Sequence, residues 1–317
     1  MCVVAVKYFD KFGFCGAKNR DRNYRPTIAF KRSTKNGVES LYMTDEITKY
    51  SEGINEYGVC ILNAATAVKN DESEAADARR KKKEAAKRNG VYYAPDGVKI
   101  RKALKFKTAL EAANHLIETE MMGNTLIFSK ETCYLLEGGK EEKEFTRQKE
   151  LSFKEPEREW DKVEYYHELT EIKKTEFVVR TNHGQILPWM GYQPGTPSPE
   201  EAISRKGSET RHDVAYAGVK KASSPQELLE AISVTSNKDA QLNPVRRSDP
   251  NDRKLLKTTG QLFMKPYELS MSYIPIYCHT LGGSFDRINN KDVKCSLNIL
   301  AFKSNDFKEY LKHRVGK

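Results

Sequence analysis

The order of short apolar segments along the chain limits the folds open to it more than any other feature. Segments 2–9 and 14–18 flank the turn Lys11-Phe12-Gly13 and are predicted to pair as a hairpin. Segments 28–32 and 39–43 flank Lys35-Asn36-Gly37, and Asn-Gly is the strongest two-residue hairpin signal. A turn-rich stretch, 53–58, leads into a strand at 59–62. Leu104, Phe106, Leu110, Ala113, Leu116, Ile117 and Met121 then recur at helical spacing, which predicts one amphipathic helix over 102–122, ended by Gly123. A further hairpin is expected at 124–128 and 133–137, then charged surface strands and connections over 139–175. A short buried strand at 177–180 delivers Thr181-Asn182-His183-Gly184. The proline- and glycine-rich stretch 191–199 is a loop, and Ser198-Pro199 and Ser224-Pro225 each mark a helix start. Late strands are expected at 261–269, 272–278 and 296–302. Strands, a helix, strands, two helices and strands again describe an α+β chain. That order fits sheets covered by helices better than a doubly wound parallel sheet.

Segment 70–90 breaks the pattern. Residues 71–88 are rich in Ala, Glu, Lys and Arg, acidic first and basic last, in the order the helix dipole favours. With almost no apolar face, they read as an exposed charged helix inserted in the domain, the insertion spanning 70–100 of a single unit over 1–317. The densest basic cluster of a chain with net charge +10, Arg79-Arg80-Lys81-Lys82-Lys83, lies here. A solvated helix face is the preferred reading, and nucleic acid or another acidic partner is the alternative. No apolar run of membrane-spanning length occurs, and the apolar start is too short for a signal peptide, so a cytoplasmic location is expected. The six cysteines include no Cys-x-x-Cys pair, which leaves zinc ribbons and thioredoxin-type chemistry unsupported.

Cys2 differs from the other cysteines by position. Removal of Met1 places a thiol and a free α-amine on one residue. That amine, with an ordinary pKa near ~8, can serve as the base, while the thiolate is the attacking species. The alternative is a thiol packed in an ordinary strand.

One hairpin after Cys2 comes Phe14-Cys15-Gly16-Ala17-Lys18-Asn19-Arg20-Asp21. This resembles the start of the choloylglycine hydrolase and penicillin V acylase family and of the acyl-coenzyme A:isopenicillin N acyltransferase (C45) group. Mature chains of that family begin with Cys and return to a Gly-x-x-Asn-x-Asp motif. Gly53-Ile54-Asn55-Glu56-Tyr57-Gly58-Val59-Cys60-Ile61-Leu62-Asn63 resembles its Gly-Met-Asn-Glu-Lys-Gly-Leu strand. Val179-Arg180-Thr181-Asn182-His183 resembles the Arg-Thr-Asn-His segment of the C45 group, and Ser208-Glu209-Thr210-Arg211 resembles the Ser-x-x-Arg turn that supplies a late active-site arginine.

The resemblance implies a four-layer αββα sandwich of the N-terminal-nucleophile (Ntn) hydrolase kind. It further implies cleavage of a linear, non-peptide amide in a small N-acyl substrate, through a thioester on Cys2. By that resemblance Asp21 orients the α-amine, Asn63 and Asn182 donate to the oxyanion, and Arg211 supplies positive potential. Lys18 stands where the family often has Arg, which keeps the charge but loses the planar fork, and Arg20 is its neighbour. Lys18, Arg20, His183, Trp189 and Tyr192 are the substrate-side candidates. No metal or organic cofactor is implied. Homo-oligomers are common in the family. If a second amine takes the thioester, the same site is an acyltransferase. Two competing readings stay open: a catalytically silent binding protein on the same scaffold, and a Cys-His peptidase using His183 or His279.

Overall fold

The computed structural model describes residues 2–22, 24–34, 37–65, 96–142, 163–191, 199–234, 245, 257–276, 278–281 and 298–301. The expected charged helix at 70–90 lies outside them. In chain order the described elements begin with strands β1 Cys2–Phe9, β2 Gly13–Arg22, β3 Thr27–Ser33, β4 Ser40–Asp45, β5 Ser51–Asn55 and β6 Cys60–Ala64. Helices α1 Asp96–Ala103 and α2 Ala109–Glu118 follow, then strands β7 Gly123–Phe128, β8 Cys133–Glu142, β9 Val163–Glu171 and β10 Phe177–Arg180. Helices α3 Pro199–Lys221 and α4 Pro225–Ala231 precede β11 Lys257–Lys265, β12 Ser270–Pro275, β13 His279–Leu281 and β14 Asn298–Ala301.

These strands form two sheets. The first has six strands in the order β10-β1-β2-β11-β12-β14, and the second has eight, in the order β13-β3-β4-β5-β6-β7-β8-β9. Neighbours are antiparallel except β13 beside β3. Side-chain alternation sorts the apolar residues into three clusters. Val4, Val6, Phe14 and Leu262 of the six-stranded sheet meet Leu41, Ile54, Leu62 and Leu126 of the eight-stranded one. Val3, Ala5, Ala17 and Val179 point the other way, onto Ala215, Val219, Leu228 and Leu229 of α3 and α4. On the second sheet Ile61, Ile127 and Leu136 pack on Ile100, Ala112 and Leu116 of α1 and α2. Among the described residues no helix is long and apolar enough to cross a membrane.

Three local expectations need correction. The helix expected over 102–122 is two helices. Thr108 interrupts it with a capping box, in which its hydroxyl accepts from Glu111 N (3.2 Å) and the Glu111 carboxylate accepts from Thr108 N (3.0 Å). Gly53, Ile54 and Asn55, expected in a turn, lie in β5. A Cβ on Gly53 would come within 2.5 Å of the Leu41 carbonyl oxygen, so glycine lets the strands approach. The turn begins at Glu56, where Asn55 Oδ1 accepts from Tyr57 N (3.0 Å) and Val59 N (2.9 Å). Finally, β2 runs on past Lys18 to Arg22, a charged stretch that hydrophobic periodicity does not register.

Candidate active site

The site is built on β1 and β2. Their register pairs Cys2 with Arg20 and Val4 with Lys18, so these side chains share one face, and Arg22 follows on it. That face looks toward the eight-stranded sheet, where Asp45 of β4 and Glu52 of β5 receive the cations. Lys18 Nζ donates to Glu52 Oε1 and to the Asn63 carbonyl oxygen. Arg20 reaches Glu52 Oε2 at 3.4 Å and Asp45 Oδ2 at 3.2 Å. Arg22 Nε stands 3.8 Å from Asp45 Oδ2, which also accepts from the Tyr24 hydroxyl at 2.9 Å. Arg22 Nη1 lies 3.7 Å from Cys2 Sγ. All five charged side chains are buried.

Buried thiols ordinarily resist ionisation, and the chain shows it. Burial pushes Cys15 up to about 12 and raises Cys60, Cys133 and Cys278 as well. Cys2 goes the other way. Burial is again the largest influence and acts upward, but cations led by Lys18 and Arg22 overcome it and hold the thiol down at about 6. Burial in turn draws Lys18 down to about 7, with the charge on Cys2 acting in the opposite direction. Burial also acts to raise the Asp45 carboxyl, yet Arg20 and Arg22 keep it below its usual range.

The other face of β2 looks toward α3. There Asp21 Oδ2 accepts from Arg211 Nη1 at 3.1 Å and Oδ1 from the Thr258 hydroxyl at 2.8 Å. Arg211 is buried in the middle of α3, not in the turn expected for Ser208-Glu209-Thr210-Arg211. Asp21 is close enough to act on the Cys2 thiol, which its charge raises.

Asn182 meets Cys2 at the backbone. Its Oδ1 accepts from Cys2 N at 2.5 Å, and its Nδ2, with two hydrogens, donates to the Ala65 carbonyl. Ser208 Oγ accepts from Asn182 N at 3.1 Å, and Asn124 Nδ2 holds the flanking carbonyls of Thr181 (3.0 Å) and His183 (3.1 Å). Asn63 is more committed. Its Nδ2 donates to Met122 O at 3.1 Å and Thr125 Oγ1 at 2.6 Å, and its Oδ1 accepts from the Tyr50 hydroxyl. As the side chains stand, both Asn63 donor hydrogens are taken by protein acceptors.

The structure thus brings Cys2, Lys18, Arg20 and Asn182 together, with Asp21 and Arg211 paired behind them. His183 keeps to a hydroxyl pair, Nδ1 facing Ser208 Oγ (2.9 Å) and Thr181 Oγ1 (3.0 Å). Burial lowers it to about 4, so its ring is neutral at pH 7. Trp189 is 40% exposed and stacks edge-on to Tyr166. Tyr192 lies outside the described residues. Among the described residues no group of three or more His, Cys, Asp or Glu side chains is placed to hold a metal ion. Sequence reasoning missed Arg22, Asp45 and Glu52. Arg22 was within reach, being the next same-face residue after Lys18 and Arg20 on a strand. Asp45 and Glu52 carried no local signal.

No family model matches the sequence, and no curated protein matches it. Among solved structures the chain is similar to penicillin V acylase from Agrobacterium tumefaciens, at 11% identity and a TM-score of 0.40, over 86% of this chain and 82% of that one. A likeness of that size decides nothing about chemistry.

Proposed function

We propose that the chain is an Ntn-type cysteine amidohydrolase, a single four-layer αββα domain that cleaves a linear amide of a small N-acyl substrate through a thioester on Cys2. The observation that carries the reading is the contrast among the five described cysteines. Only Cys2 has its thiol drawn down, to about 6, and its sulfur has the Arg22 guanidinium at 3.7 Å. A thiolate at neutral pH in a desolvated site is a nucleophile awaiting an acyl carbon. Asn182, fixed at the Cys2 nitrogen, is the nearer oxyanion donor through the second hydrogen of Nδ2. Asn63 takes the same role only if its amide gives up Thr125 or Met122. Asp21 and Arg211 set the charge behind the nucleophile. With Met1 removed, a free α-amine on Cys2 is one base open to the site.

The test is covalent labelling by a thiol-reactive acyl analogue, read by mass spectrometry. Cys2→Ala and Cys2→Ser abolish the adduct while the other cysteines stay unlabelled. Persistent labelling at Cys15, Cys60, Cys133 or Cys278 refutes the mechanism. Intact mass of the active sample reports whether Met1 is present.

A further inference from the structure

We infer that Lys18 is the proton-transfer partner of Cys2, its Nζ taking the thiol proton and returning it during turnover, so that the chemistry does not depend on a free α-amine. The inference rests on the amidohydrolase reading above and deepens it.

Hydrogen-bond arithmetic at Nζ is the first support. Two acceptors, Glu52 Oε1 and the Asn63 carbonyl oxygen, hold the nitrogen. A neutral amine satisfies both with its two hydrogens and keeps one lone pair. An ammonium satisfies both and keeps one hydrogen. The same two contacts therefore hold Nζ in either protonation state, and the strand register puts Lys18 on the Cys2 face of the hairpin.

Charge balance is the second support. Between the sheets lie Lys18, Arg20 and Arg22 on one side and Asp45 and Glu52 on the other, all buried. A thiol beside an ammonium leaves one positive charge uncompensated in a desolvated cluster, which is costly. Two arrangements cancel: thiol with neutral amine, and thiolate with ammonium. They differ only by the position of one proton. The groups acting on Lys18 are Cys2 from β1, Arg20, Arg22 and Asp21 from β2, and Glu52 and the Tyr50 ring, its centroid 5.3 Å from Nζ, from β5 and the residue before it. With Lys18 drawn to about 7 and Cys2 to about 6, the pair exchanges its proton near neutrality. An arginine at this position would hold a thiolate equally well but could not release a proton.

The step balances. The thiol proton passes to Nζ as sulfur bonds to the carbonyl carbon, and the C–N bond breaks as the ammonium protonates the leaving nitrogen. In deacylation Nζ takes a proton from water, hydroxide adds to the thioester carbon, and the C–S bond breaks to regenerate the thiolate.

The test uses p-nitrophenyl acetate, whose nitrophenolate leaves without a proton, so acylation needs only a thiolate while deacylation needs a base. Two chains are compared with wild type: K18R, and wild type carrying an N-terminal tag, in which the Cys2 nitrogen is an amide. Burst and steady-state phases are followed by nitrophenolate release, and the acetyl group on Cys2 by intact mass. The expected result is a burst in all three chains, deacylation in the tagged chain within about threefold of wild type, and deacylation in K18R slowed at least ~100-fold, the scale of a lost general base. Wild-type deacylation in K18R overturns the inference. So does a tagged chain that is acetylated but never turned over, since the α-amine is then the base. A Cys2 that takes no acetyl group in any chain sinks the amidohydrolase reading itself and the inference with it.

Discussion

The two faces of β2 make a controlled comparison, because one strand presents polar side chains to both. On the helix-facing side, Asp21 meets Arg211, and Asn19 is fully engaged. Asn19 Nδ2 donates to Ile232 O (2.6 Å) and Val245 O (2.8 Å), while its Oδ1 accepts from Gln261 Nε2 (2.8 Å). Charges there cancel one for one. On the sheet-facing side, three cations meet two carboxylates, and the surplus sits beside Cys2. Alternation brought polar residues to both sides, but only one side is left short of a negative charge. Buried polar groups that balance hold a fold together, and those that do not are positioned to ionise something else.

The largest expected effect comes from unbalancing the balanced side. Arg211→Leu leaves the Asp21 carboxylate buried without its guanidinium and costs about 3–5 kcal/mol, measured by urea unfolding. Cys2 alkylation near neutral pH, normalised to folded protein, slows as well, because the uncompensated Asp21 charge acts to raise the thiol. A loss below ~1 kcal/mol in Arg211→Leu would mean that Asp21 rests mainly on Thr258 and other partners, and the two faces would no longer be opposites. Next comes Asn19→Ala, which removes three buried hydrogen bonds and strands two carbonyls. It should cost about 2–3 kcal/mol and leave the Cys2 titration in place. A thiol inflection displaced by a full unit in this variant would show that the faces communicate through the strand.

How much of this is legible in the sequence depends on what each element needs. Strands β1 and β10 and the Ser224 cap are readable because apolar alternation and capping chemistry are local, and Ser224 Oγ does accept from Glu227 N (3.2 Å). Residues 19–22 of β2 are not readable as strand, since their side chains are polar or charged and satisfied by residues far away in sequence. A Ser-x-x-Arg string suggests a turn and does not reveal that Arg211 sits inside a 23-residue helix. The Asn63 amide can be named from its segment, but its orientation is set by Thr125 and Met122 on and before the neighbouring strand. Asp45 and Glu52 look like surface carboxylates in the chain, and only the meeting of two sheets makes them counter-ions.

The smallest effect is also the most direct on the sheet-facing side. Arg22→Gln removes the cation 3.7 Å from Cys2 Sγ and leaves Lys18 in place. The thiol, held at about 6, should rise by about one unit, which corresponds to ~1.4 kcal/mol. Iodoacetamide alkylation at pH 5 therefore slows about tenfold, while the rates converge above pH 9, where both thiols are ionised. The same shift appears in stability. A folded-state thiol held below its unfolded value of 9.0 gives up its proton first, so stability rises with pH between about 6 and 9 and is lost as pH falls through that window. Arg22→Gln narrows the window from its acid end, and Cys2→Ala removes that contribution. An alkylation profile in Arg22→Gln that overlays wild type would take the control of the thiol away from Arg22 and leave that residue to Asp45 and the Asp21 carbonyl oxygen.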